Sequence, residues 1–223
     1  MAEKETRVGF VLDCSGSMDV IQEEARQTFN EQIRNIRDGE NCGDVYVTVR
    51  TFNTSVHPPV IEDLPSSELE ELTASEYCPD GMTALHDAIG DVIDDMTKRE
   101  ETCDDTAYLV IIVTDGAENN SKRHLNIGYK LKELQEGGKW TFTVLGANLD
   151  LDSLSANMHI PLGNVQRFDA TGYGIQKGGE ELTRGYQVYM CARSSGHTNI
   201  SSFYNPDVDS SSTGSDPKTT TTT

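Results

Sequence analysis

Cations are scarce in this chain: 18 Lys and Arg stand against 37 Asp and Glu among 223 residues, a formal charge of −19. So anionic a surface meets a phosphate backbone with long-range repulsion, which disfavours nucleic acid as a partner. Long apolar runs are missing too. No stretch of about 18 apolar residues occurs, against a membrane-spanning helix, and the opening residues lack the apolar core of a secretory signal, so the expected location is the cytoplasm. The five cysteines (Cys14, Cys42, Cys78, Cys103 and Cys191) form no Cys-x-x-Cys pair and are expected as reduced thiols. Nor do the dispersed histidines His57, His86, His124, His159 and His197 show zinc-ligand spacing. Neither a Gly-x-Ser-x-Gly elbow nor a phosphate-binding Gly-x-x-x-x-Gly-Lys loop is present.

What is there suffices for one α/β domain with a core. Residues 8–12 are apolar on both alternating faces, as in a central strand covered by helices. Ile21, Ala25, Phe29, Ile33 and Ile36 then recur at helical spacing. Residues 44–52 alternate, and residues 56–61, with Pro58 and Pro59, read as the antiparallel edge arm of a hairpin. A short helix is expected at residues 67–72, and a strongly amphipathic one from Leu85 to Met96, with Asp87, Asp91, Asp94 and Asp95 on its wet side. Residues 109–113 are continuously apolar, the mark of a doubly buried strand. Helices near 125–134, 151–157 and 175–191 and strands at 140–146 and 165–168 complete an alternation that predicts a doubly wound three-layer α/β sandwich, mostly parallel with one antiparallel edge strand. The domain is expected to span residues 1–192, and residues 193–223, rich in Ser and Thr, to form a disordered tail in which Phe203-Tyr204 has no assigned role.

In such sheets ligands bind beyond the carboxyl ends of the strands, where strand order reverses. Strands 8–12 and 109–113 are the expected central neighbours, and they end at Asp13 and Asp115. Ser15 and Ser17 follow the first, and Thr83 opens a crossover helix returning to the second. Five side-chain oxygens, from Asp13, Ser15, Ser17, Thr83 and Asp115, should therefore converge. An all-oxygen set suits Mg²⁺, Mn²⁺ or Ca²⁺ over zinc. With only two anionic groups, such a site leaves positions to water, one of which an incoming carboxylate can displace. Helix N-capping by Ser17 and Thr83 is the competing reading of those two hydroxyls.

At these residues the chain resembles the von Willebrand factor A family. Asp13-Cys-Ser15-Gly-Ser17 is similar to its Asp-x-Ser-x-Ser motif, Gly81-Met-Thr83-Ala-Leu85 to its threonine loop, and Thr114-Asp115-Gly116 to its final aspartate turn. The resemblance covers about residues 5 to 192. It implies a metal-ion-dependent adhesion site in which Ser15, Ser17 and Thr83 lie near the ion, with Asp13 and Asp115 acting directly or through water. It also implies an intracellular adaptor whose open coordination position takes a partner's Asp or Glu, in complexes that for some members include ring-forming ATPases. Residues 145–150 and 169–174 resemble endings of standalone prokaryotic and phage-type members, although loop and cap chemistry is the better account of their glycines.

Two other classes compete. A Mg²⁺-dependent phosphoryl-transfer or hydrolytic enzyme would use Asp13, but Ser15 stands where an Asp-x-Asp site needs its second acid, so no enzyme is expected. A structural component of a phage particle or secretion apparatus would carry the metal site incidentally.

Overall fold

A computed structural model describes residues 3–101, 103–147 and 150–205. Six strands, β1 (Lys4–Asp13), β2 (Asp44–Phe52), β3 (Ile61–Pro65), β4 (Asp105–Thr114), β5 (Trp140–Gly146) and β6 (Val165–Arg167), form one sheet in the order β3-β2-β1-β4-β5-β6. Every pairing is parallel except that of β3 with β2. The helices are α1 (Gln22–Asp38), α2 (Leu85–Met96), α3 (Ile127–Glu136), α4 (Leu151–Met158) and α5 (Gly172–Ser194). The doubly wound α/β sandwich expected from the alternation is thus the observed fold.

Strand alternation divides the core in two. Phe10, Leu12, Leu109 and Ile111 face Phe29 and Ile33 of α1 and Ile175, Leu182 and Tyr189 of α5. On the other face Val11, Val110 and Ile112 meet Ala88, Ile89 and Val92 of α2 with Ile127 and Leu131 of α3. Each large aliphatic side chain buried this way contributes about 1.5–3 kcal/mol, which is why strands β1 and β4 take the centre. Their register sets Leu12 beside Val113 and brings their carboxyl ends level.

Several expectations need correction. The second hairpin arm begins at Ile61, where the prediction placed its end; Val56 makes only an isolated bridge to Phe52. Pro58 and Pro59 have no N–H to donate, so the ladder resumes beyond them. At residues 67–72 there is only a 3-10 turn, Ser66–Glu68. Asp87 and Asp95 of α2 are buried rather than wet, because the loop before α3 and Arg50 cover them.

The tail boundary also moves. Helix α5 runs to Ser194, and residues up to Asn205 are ordered against the body: Phe203 is fully buried, and its N–H donates to Asn164 Oδ1 at 2.8 Å. Gly185 makes room for that ring, since a Cβ there would lie 2.0 Å from it. Composition hid this contact, because one large aromatic outweighs its polar neighbours once a helix offers a bare backbone patch. Residues 206–223 lie outside the described residues, as do Asn148 and Leu149 of the 145–150 segment. Asp150, at the end of the first motif-like segment, and Thr171, inside the second, cap α4 and α5 by accepting from Ser153 and Gly174 N–H. Among the described residues no helix is long and apolar enough to cross a membrane.

Candidate metal centre

Three segments meet where the sheet reverses between β1 and β4. Asp13, the last residue of β1, turns the chain by accepting the Ser15 N–H at 2.8 Å through Oδ1. Ser15 and Ser17 then lie 3.2 Å apart, Oγ to Oγ, and Ser17 donates to Asp115 Oδ1 at 2.6 Å. The third segment is stitched on by backbone: Asp80 N–H donates to Cys14 O, and Gly16 N–H to Gly81 O. Gly81 adopts φ 73°, left-handed backbone that any other residue would hold at a cost, and this turn delivers Thr83 to the site. A Cβ on Gly116 would sit 3.1 Å from Thr83 Oγ1 and 3.8 Å from Asp13 Oδ2, so hydroxyl and carboxylate flank the same bare backbone. The structure therefore brings together all five residues expected from the sequence.

Capping does not explain the hydroxyls. Ser17 lies inside a 3-10 turn, Gly16–Ile21, and the residue before α2 is Ala84; neither element has a side-chain cap.

The electrostatics are unbalanced. Asp13 and Asp115 are 1% and 4% exposed, and among the described residues neither has a Lys, Arg or His ion-pair partner. Burial raises the Asp13 pKa above the usual carboxylate value; hydrogen bonds from Thr114 and Ser15 oppose the rise and the Asp115 charge adds to it. Burial likewise raises Asp115, against the hydrogen bond from Ser17. Two buried anions facing hydroxyls, with no protein cation, suit a hard dication bound through oxygen.

No family model and no curated protein matches the sequence. Solved structures do match in fold. Proximal thread matrix protein 1 from the mussel byssus, with zinc in its MIDAS motif, aligns at a TM-score of 0.56 and 19% identity over 82% of this chain and 45% of that one. Manganese-loaded TRAP protein of Plasmodium vivax aligns at 0.53 and 17% identity over 76% of this chain and 70% of that one. The von Willebrand factor type A structure from Catenulispora acidiphila aligns at 0.53 and 15% identity, over 82% and 42%. The chain has the von Willebrand factor A fold. It spans less than half the length of the mussel and Catenulispora chains.

Within this A-type fold, sequence reasoning missed the residues that hold the five in place. Thr114 donates to Asp13 Oδ2 at 2.5 Å, and the buried Tyr77 hydroxyl donates to Asp13 O at 2.7 Å. Asn119 Oδ1 accepts the Thr83 N–H at 2.9 Å, while Asn119 and Asn120 N–H both return to Thr83 O. Thr114 carried a signal, lying in the same Thr-Asp-Gly turn; Tyr77 and Asn119 carried none, since only tertiary packing brings them there. A second acidic group, Asp91, Asp94 and His124, has its ligand atoms within 4.8 Å of one another. Its charges are already met: Arg123 grips both Asp91 oxygens at 2.7 Å and Lys130 holds Asp94 at 2.7 Å. That cluster is an ion-pair network on the surface of this A-type domain.

Proposed function

We propose that this chain is a divalent-metal-dependent protein-binding module, without catalytic activity, that takes an Asp or Glu of a partner protein through an ion held by Asp13, Ser15, Ser17, Thr83 and Asp115. One observation carries the reading: two buried carboxylates, ringed by three hydroxyls, have no ion-pairing protein cation among the described residues. The donor chemistry favours Mg²⁺, with Mn²⁺ or Ca²⁺ as alternatives. The metal-bearing structures of the same fold are consistent with it, zinc in the mussel protein and manganese in TRAP.

The chemistry follows from charge. When bound, the ion supplies a Lewis-acidic position open to an outside oxygen ligand. Asp13 and Asp115 provide the anionic hold, and the neutral Ser and Thr hydroxyls add coordination without cancelling more charge. Thr114 and the Ser15 N–H fix the Asp13 carboxylate, as outer partners of metal ligands do. A partner carboxylate completes the charge balance, so partner and ion bind together.

Isothermal calorimetry of Mg²⁺, Mn²⁺ and Ca²⁺ into the full chain tests the first half. Uptake by wild type that Asp115→Asn removes is the expected result; absence of uptake of all three ions sinks the reading. Capture of partners with and without EDTA tests the second half. Mg²⁺-dependent turnover of a phosphoester, lost in Asp115→Asn, would reassign the site to an enzyme.

A further inference from the structure

Exposed large apolar side chains are unevenly placed. Of the six among the described residues, Val20, Met82, Leu125, Tyr129 and Tyr173 emerge from loops or first helical turns at the carboxyl edge of the sheet, the edge that carries the five-residue site; only Leu162 does not. Apolar surface gathered on one face marks an interaction site. Its shape is asymmetric. On the α3 side lies an open cavity of about 720 Å³, whose floor includes the buried Leu85, Ile127 and Met158 and whose rim carries Leu125 and Tyr129, 65% and 70% exposed. On the α1 side the cavity beneath Asp13 is only about 20 Å³.

This larger cavity adjoins the site. Leu85 and His86 on its wall follow Thr83 by two and three residues, and Ala117 and Glu118 follow Asp115 by the same steps. The two wall segments are joined, because Glu118 Oε2 accepts the His86 N–H at 2.9 Å. Two to three residues of chain span about 7–10 Å at most, which an extended partner segment crosses in two to four residues. Glu118 and Asp150 on the wall, on a chain of net charge −19, repel a second acid and favour an apolar occupant.

We infer that the partner is a peptide segment in which the metal-binding Asp or Glu is followed or preceded, two to four residues away, by a large apolar side chain seated in the cavity between α3 and α4. The inference rests on the metal-dependent reading above and fixes the direction of the footprint: from the metal across the Thr83 and Asp115 loops toward Leu125 and Tyr129, away from Val20 and Tyr173.

Selection of phage-displayed random peptides on the immobilised full chain in millimolar Mg²⁺, with EDTA elution, tests it. Enriched peptides should share one acid and one Leu, Met or Phe at that spacing, and replacing the apolar residue by Ala should weaken a synthetic peptide about 10-fold or more. The Leu125→Ser/Tyr129→Ser double variant, altered only at exposed positions, should bind both peptides equally weakly while taking up Mg²⁺ like wild type; Val20→Ser should bind like wild type. Enrichment of acids with no apolar position, enrichment of nothing, or unaltered peptide binding by the double variant overturns the inference. Self-association of wild type that the double variant abolishes also overturns it, giving the cavity to a second copy. Failure of wild type to take up Mg²⁺ is separate and sinks the metal reading itself.

Discussion

Two sets of buried or half-buried carboxylates lie at the same edge of the sheet and have opposite surroundings. Asp87 is met by three backbone N–H groups, from Lys122, Arg123 and His124, and Glu118 by Ser121 and the N–H groups of His86, Asn120 and Ser121. Burial raises both pKa values, yet these hydrogen bonds outweigh it and leave both below the ordinary carboxylate value. Asp13 and Asp115, where burial outweighs the hydrogen bonds, end above it. Asp87 is buried as Asp13 and Asp115 are, so burial alone says nothing about role. What separates them is satisfaction: Asp87 and Glu118 are each met by three or four donors, whereas Asp13 and Asp115 are met by fewer and have no Lys, Arg or His ion-pair partner among the described residues.

The sharpest way to break this contrast is to remove one unsatisfied charge. Asp115→Asn keeps an oxygen for the Ser17 hydroxyl but should lower Mg²⁺ affinity by more than about 100-fold, since loss of a mere outer partner already costs 10–100-fold. Calorimetry reads this directly. Melting gives a second view: wild type at an ion concentration about 100 times its Kd should gain about 2.7 kcal/mol, and the variant nothing. Equal stabilisation of the two proteins would place the ion elsewhere.

Next in size is Thr114→Val, which removes the hydroxyl that holds Asp13 Oδ2 while leaving all five proposed ligands. Affinity for Mg²⁺ should fall about 10–100-fold, with selectivity among the ions altered if the carboxylate swings. Undiminished uptake would show that Thr114 does not position the site.

For the satisfied set, Asp87→Asn should act on stability alone. Its amide turns a donor toward an N–H that the carboxylate accepted, so urea denaturation should show a loss of about 1–3 kcal/mol with Mg²⁺ uptake unchanged. A variant as stable as wild type would remove the basis for calling that cluster structural.

The fold was legible because its strands are unambiguous: residues 8–12 and 109–113 could only be central, and the site residues follow at their ends. Convergence of Asp13, Ser15, Ser17, Thr83 and Asp115 needed no more than parallel strands and a crossover. What sequence did not reveal was of another kind. The wet-face reading of Asp87 and Asp95 assumed that polar residues on a helix face water, whereas the β4–α3 loop and Arg50 cover them. Phe203 looked like a stray aromatic because its receptor, the bare backbone at Gly185, exists only once α5 is folded. Hydrophobic periodicity records burial against a core, and it is blind to polar closures made by loops.

The smallest effect is also the one whose sign tests the contrast most directly. A carboxylate depressed in the native state adds stability that is present above its unfolded value and lost as pH falls through its folded one; Asp87, Asp95 and Glu118 belong to this class. Asp13 and Asp115 are raised, so in ion-free protein their contribution is present below the ordinary carboxylate value and lost as pH rises through the folded one. In EDTA, Asp115→Asn should therefore be the more stable protein at neutral pH, with its advantage fading as acid protonates the wild-type residue. Asp87→Asn should be the less stable, with its deficit shrinking only at lower pH. Adding Mg²⁺ should reverse the first difference and leave the second untouched, because an ion relieves only the anions that have no other partner.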